Sequence, residues 1–129
     1  MNSINQMKWF FQRGKRGCAE CDFWDFNNYL IDIIMAGIEY LKNHSHGCPS
    51  EFYDETNINN ECEKWIIVLD EILEGFKAGK RIINNDCLHL KERNGYYEQV
   101  FDEEEAKYLA KKFDRGMELF CKYFLELWD

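Results

Sequence analysis

Proline is almost absent from this chain: among 129 residues only Pro49 is one. Proline removes a backbone donor and clashes with the preceding turn, so the stretches on either side of residue 49 are free to be helical and residue 49 itself marks a boundary. Long apolar runs are missing too. The longest, Trp65 to Leu69, is far short of the ~20 residues a membrane span needs, so no membrane partner is expected. The first residues hold no apolar core between a basic start and a small-residue cleavage site, so no secretory leader is expected and the expected location is the cytoplasm. No Gly-rich phosphate loop and no nucleophile with a neighbouring base is present, so no catalytic residue and no cofactor is expected. Acids are missing from residues 1–17, which carry Lys8, Arg13, Lys15 and Arg16.

What is there is a folded, acidic chain. Hydrophobic residues make up 46% and aromatics 16%, more than a disordered acidic chain would show, so the net charge of −8 belongs to a folded surface. The length suits one domain, here a basic arm over 1–17 and a helical domain over 18–129. That domain carries the remaining 12 Lys and Arg against 24 Asp and Glu. A surface this acidic repels a phosphate backbone, which argues against direct nucleic-acid binding. Of the six cysteines, Cys62 and Cys121 sit on helical stripes as small apolar residues do, and the set reads as reduced thiols.

Three long helices are predicted, giving an all-α fold: a compact bundle of three to four helices in a single domain. In the first, over 23–43, Phe26, Leu30, Ile33, Ile34, Gly37, Ile38 and Leu41 recur at three- and four-residue steps. Asp22 or Asp25 is placed to cap it, and Gly47 and Pro49 to end it. Residues 50–60 read as a loop. The second helix starts near Asn59 or Asn60 and turns Cys62, Trp65, Ile66, Leu69, Ile72, Leu73 and Phe76 to the core, with a break expected between Ala78 and Asn85 because Gly75 and Gly79 weaken it. Asn94-Gly95 signals a turn, and Tyr96–Phe101 an extended segment. Asp102 and Glu105 fit a capping arrangement for the third helix, whose core face reads Ala106, Leu109, Ala110, Phe113, Met117, Phe120, Cys121, Phe124 and Trp128. A second stripe, Leu119, Tyr123 and Leu127, makes the apolar surface broad enough for a second subunit, so a homodimer is one expected state.

Two clusters have ligand chemistry. Cys18 and Cys21 with His44, His46 and Cys48 offer four or more zinc ligands, but a whole helix separates the two groups by about 30 Å, so no shared metal site is expected. Asp70, Glu71 and Glu74 on one helix and Glu118, Glu126 and Asp129 on another would, if their faces met, hold Mg²⁺ in the manner of helical nucleotide pyrophosphohydrolases. They lie mostly opposite the apolar stripes, where charges form a solvated face.

The segments WDFNNYLIDIIMAGIEYLKNHSHGCP, EKWIIVLDEILEGFKAGK and GMELFCKYFLELWD together resemble the three blocks of a group of small all-helical bacteriophage proteins. In that group a Trp-Asp helix start, a Trp-containing helix and a C-terminal Leu-Trp-Asp recur in this order; here the likeness covers roughly residues 22 to 81 and 105 to 129. The resemblance implies a phage accessory protein in the host cell cytoplasm and carries no established activity. Such a protein would act by occupying something of the host: a nucleotide-derived immune signal, sequestered as counter-defence, or the nucleic-acid-binding surface of a host defence protein, imitated by acidic charge as an anti-CRISPR does. For a nucleotide-like ligand, Trp24 and Trp65 are candidate stacking faces, and Arg13, Lys15, Arg16 and His46, with Asp25 beside them, candidate polar contacts.

Overall fold

A computed structural model of the chain describes residues 2–44, 46–53 and 62–129. Four α-helices and one two-stranded sheet account for most of them: α1 (Ser3–Arg16), α2 (Phe26–His44), α3 (Glu63–Ile83), β1 (Leu88–Arg93), β2 (Tyr96–Phe101) and α4 (Glu103–Tyr123). The all-α class expected from the sequence is the class observed. No described helix is long and apolar enough to cross a membrane. The chain divides into two compact units, Met1–Ile33 and Ile34–Asp129.

In the first unit the basic stretch is a helix. Asn2 caps it, its side-chain oxygen accepting the Ile4 N–H at 3.2 Å. Gly17 closes it in the left-handed conformation (φ 83°), its N–H reaching the Arg13 carbonyl at 2.8 Å. Arg13, Lys15 and Arg16 fall in the last turn, where positive charge meets the negative end of the helix dipole. The Tyr29 hydroxyl donates to the Gly17 carbonyl, tying the start of α2 to the end of α1. Of the two residues expected to cap α2, Asp22 does not, its carboxylate being used by Ala19 and Arg13. Asp25 accepts from the Asn28 side chain at 3.0 Å.

The core of the second unit is the pairing of α3 with α4. Trp65, Leu69, Ile72, Leu73 and Phe76 are buried along α3, following the predicted stripe. The described part of this helix starts at Glu63 behind Cys62, and the expected start at Asn59 or Asn60 lies outside the described residues. The helix runs unbroken through Gly75 and Gly79 to Ile83, and the turn comes at Asn85 (φ 57°), at the far edge of the expected break. Gly75 is no weak point. It is a place where α3 and α4 approach closely, since a Cβ there would lie 2.6 Å from the Gly116 Cα.

Between the two helices stands an antiparallel hairpin with Leu88 opposite Phe101 and Arg93 opposite Tyr96. Asn94 (φ 53°) and Gly95 (φ 81°) form its two-residue turn, both left-handed as a type I′ turn requires. Its base is fixed where Asp102 N–H meets the Cys87 carbonyl at 2.8 Å, and where Ala78, buried Cys87 and Leu109 pack together. Asp102 then caps α4, accepting the Glu105 N–H at 3.0 Å.

Two helical faces depart from the reading of the sequence. In α4 the buried residues are Leu109, Gly116, Leu119 and Tyr123, whereas Ala110, Met117 and Cys121, and Phe124 and Trp128 beyond its end, are exposed. Leu119 and Tyr123, two of the three residues of the stripe that suggested a subunit interface, are therefore intramolecular core, and Leu127 is half-buried. In α2, Ile31 and Ile38 are buried while Phe26, Leu30, Ile33 and Gly37 are exposed, a rotation of about one residue. All six cysteines carry free thiols.

Candidate functional site

The residues singled out for ligand contact fall in both units. Arg13, Lys15, Arg16, Trp24 and Asp25 belong to Met1–Ile33, and His46 and Trp65 to Ile34–Asp129.

In the first unit, α1 lies against the 3-10 turn Glu20–Phe23, and the contact is built from polar groups. Asp22 is buried, with 7% of its surface exposed. Its Oδ2 accepts Arg13 Nε at 3.0 Å and the Ala19 backbone N–H at 2.7 Å, and its Oδ1 accepts Arg13 Nη2 at 2.6 Å. These bonds, the Arg13 one above all, hold the carboxyl down at about 2 against the opposing effect of desolvation. Arg13 is raised in return by the same hydrogen bond. Around the pair, Lys8 Nζ meets Glu20 at 2.8 Å, Glu20 N–H donates to the Gln12 side chain at 2.9 Å, and Arg16 Nε donates to the Cys18 carbonyl at 3.0 Å with its guanidinium 5.5 Å from the Phe23 ring centre.

This fastening sets two tryptophans edge to face, Trp9 on α1 and Trp24 after the turn, with centroids 5.9 Å apart and planes at 89°. Beside them opens a cavity of about 430 Å³ lined by Gln6, Trp9, Arg13, Cys21 and Trp24, within the size range of small-molecule sites. Trp24 is 78% exposed. Arg13 and Trp24 thus meet at one cavity. Lys15, Arg16 and Asp25 do not line it, and Arg13 serves Asp22 through one edge of its guanidinium. Gln6, Trp9 and Cys21 are not among the contacts expected for this ligand; the spacing of three and then four residues that puts Gln6, Trp9 and Arg13 on one helical face is the signal for the first two.

Asp22 has a measurable consequence. Its folded-state value of about 2 lies below the ordinary 3.8, so the stability it gives is complete above about pH 4 and is lost as the pH falls through 3.8 toward 2. Amide protection over Ser3–Gly17 should drop across that window. Arg13→Ala should produce the same loss at neutral pH, by leaving a buried carboxylate without its main partner.

In the second unit, Trp65 is core, with its ring 5.4 Å from Tyr123 and 5.5 Å from Phe52, and not a free stacking face. His46 pairs with the terminal side chain: its backbone N–H and its Nδ1 lie 3.0 Å and 3.1 Å from Asp129 Oδ1, which lowers Asp129. Beside them is a small cavity of about 130 Å³ bordered by Cys48, Pro49, Trp65, Trp128 and Asp129.

Most of the acidic cluster is taken up by cation partners. Asp70 binds Lys42 at 2.6 Å, Glu74 binds Lys77 at 3.0 Å, and Arg115 lies 3.6 Å from Glu71 and 3.2 Å from Glu118. The α3–α4 groove that Asp70, Glu71 and Glu74 border, about 430 Å³, has Lys111, Lys112 and Arg115 on its other side. Among the described residues the one trio of metal-type ligands whose atoms lie within 4.8 Å of one another is His89, Asp102 and Glu105. There Glu105 already takes Arg81 and His89, and Asp102 caps α4. Cys18 and Cys21 belong to the first unit, while His44, His46 and Cys48 belong to the second, with His44 stacked 4.3 Å from Tyr40.

Comparison of the chain with protein-family models, curated proteins and solved structures finds no match.

Proposed function

We propose that this protein acts by binding and not by catalysis, and that its ligand is a small, planar, anionic molecule of the nucleotide type held at the Trp9/Trp24 cavity. The observation that carries the proposal is the cavity itself: an exposed indole face at Trp24, a second indole set perpendicular to it, and the Arg13 guanidinium on the same wall. An aromatic base would stack on Trp24, and the guanidinium N–H groups that Arg13 does not give to Asp22 would donate to ligand oxygens. In the phage setting that the three sequence blocks suggest, this is counter-defence by sequestration of a host nucleotide-derived immune signal in the host cytoplasm.

The test begins with mass spectrometry of small molecules that co-purify with the protein from infected cells. It continues with titration of AMP and of a cyclic dinucleotide, followed by tryptophan fluorescence. Base stacking on an aromatic ring is worth roughly 1–3 kcal/mol, so Trp24→Ala should weaken binding about tenfold or more and Trp24→Phe far less. The reading fails if no nucleotide co-purifies and neither probe changes the emission.

A second reading rests on charge. Unit Ile34–Asp129 holds 12 Lys and Arg against 20 Asp and Glu, while the first unit balances four against four. An acidic body of this kind would suit occupation of a host defence protein's nucleic-acid-binding surface. Capture of such a protein by a chain carrying Trp24→Ala, undiminished and salt-sensitive, would favour it over the nucleotide.

A further inference from the structure

The apolar side of α1 faces away from its own unit. At 3.6 residues per turn, Ile4, Met7, Phe10 and Phe11 fall within about a third of the helix circumference, and all four are strongly exposed, Phe10 at 73% and Phe11 at 66%. The opposite side, which carries Trp9, Gln12 and Arg13, is the one held against Glu20–Phe23, and it is held by polar bonds. A surface helix ordinarily does the reverse, burying its apolar stripe and exposing its polar face.

We infer that the outward face of α1 adsorbs to an anionic phospholipid surface, with Ile4, Met7, Phe10 and Phe11 inserted at the headgroup level. Charge selects this occupant. The helix carries Lys8, Arg13, Lys15 and Arg16 and no acid, and Lys8 and Lys15 run along the Ile4 edge of the stripe, where long cationic side chains reach lipid phosphates. A second copy of the same helix would bring like charges together with no acid to meet them. Low mean hydropathy, a one-sided apolar face rich in phenylalanine and a basic flank are the marks of a helix that lies in the interface plane. At 14 residues it is about 21 Å long, too short to span. The inference departs from the sequence expectation of no membrane partner, and it is independent of the Trp9/Trp24 cavity, which the four inserted residues do not line.

Two features set the expected strength. Lys8 is paired with Glu20 and Arg13 with Asp22, and Arg16, on the opposite side of the helix, is engaged by the Cys18 carbonyl and the Phe23 ring, so Lys15 supplies most of the net attraction and apolar insertion supplies the rest. The acidic second unit is repelled by the same lipid, an effect that fades beyond the roughly 8 Å screening length at physiological salt.

Co-sedimentation of the full chain with vesicles of phosphatidylcholine and phosphatidylglycerol in a two-to-one ratio tests it. The protein should pellet with these vesicles and less with phosphatidylcholine alone. Phe10→Ser with Phe11→Ser should lower the partition coefficient more than about a hundredfold. Lys15→Glu should lower it about tenfold on the anionic vesicles and leave the neutral ones unaffected. If the double phenylalanine variant loses its helical circular dichroism, Ile4→Gln with Met7→Gln probes the same face. The inference is overturned if the unmodified protein stays in the supernatant, or if the folded variants pellet as it does. It is also overturned if light scattering shows a dimer that the phenylalanine substitutions dissociate, since a second copy then covers the face.

Discussion

Gly75→Ala lowers the melting temperature, although alanine is the better helix former by about 1 kcal/mol. The reason is the closeness of α3 and α4. A Cβ on Gly75 would stand 2.6 Å from the Gly116 Cα and 2.8 Å from the Lys112 carbonyl oxygen, and one on Gly116 would stand 2.8 Å from the Gly75 Cα. These neighbours are backbone, so no side chain can turn aside and the helices themselves must part. Parting them loosens Leu69, Ile72, Phe76 and Leu119, all buried in the same unit. Overpacking costs about 1–3 kcal/mol where repacking is possible and more where it is not, so Gly75→Ala should lose about 2 kcal/mol or more net, roughly 5–15 °C. Gly75→Val should leave little folded protein. Gly37→Ala and Gly14→Ala sit in helices with nothing within 4 Å of the new methyl and should gain about 0.5–1 kcal/mol. Thermal melts followed by circular dichroism separate the two signs. A rise in melting temperature for Gly75→Ala would mean that the two helices do not approach as described.

Where one signal dominated, the fold was legible. The α3 stripe from Trp65 to Phe76 is single and regular, and it is the buried face. Asp102 with Glu105, and Asn94 with Gly95, are local chemical devices whose backbone consequences do not depend on the rest of the chain. The phase of α4 was harder because two apolar stripes lie side by side on it, and the residue at the centre of the packed face is Gly116, which has no hydrophobicity to count. Strand β1, with the sequence Leu-His-Leu-Lys-Glu-Arg, is exposed along its length and so lacks a buried alternation. Helix α1 is missed by a reading that takes residues 1–17 as a basic arm, although its caps, Asn2 and Gly17, and the spacing of Ile4, Met7 and Phe11 carry the signal. For the site, charge and aromatic content drew attention to Arg13 and Trp24, which do meet. That Arg13 is committed to Asp22 is a nine-residue contact with no period, and only the folded geometry supplies it.

Tyr123→Glu should unfold the second unit's core and not release a folded monomer from a dimer. As one of two stripes on a terminal helix, Tyr123 looked like an interface residue, for which a charge would be tolerated once the subunits separated. In the fold it is 6% exposed. Its ring meets Trp65 edge-on at 5.4 Å and Phe52 at 5.5 Å, with Lys122 Nζ over it at 5.1 Å. A glutamate there gives up the burial of a large aromatic side chain, worth about 3–5 kcal/mol on truncation, and two ring contacts of about 0.5–1.5 kcal/mol each. It also adds a carboxylate whose ionised form has to be desolvated. That total is comparable with the whole stability of a small protein, about 5–15 kcal/mol. Two residues further along, Leu125 is 84% exposed, and Leu125→Glu should stay within about 0.5 kcal/mol of the parent. Urea denaturation of the three proteins, with light scattering in native buffer, reads the phase of α4 directly. The expected result is loss of the cooperative transition for Tyr123→Glu and an unshifted midpoint for Leu125→Glu. A parent that scatters as a dimer, with Tyr123→Glu a cooperatively folding monomer, would return the stripe to the interface and rotate α4 from the position that buries Gly116 against Gly75.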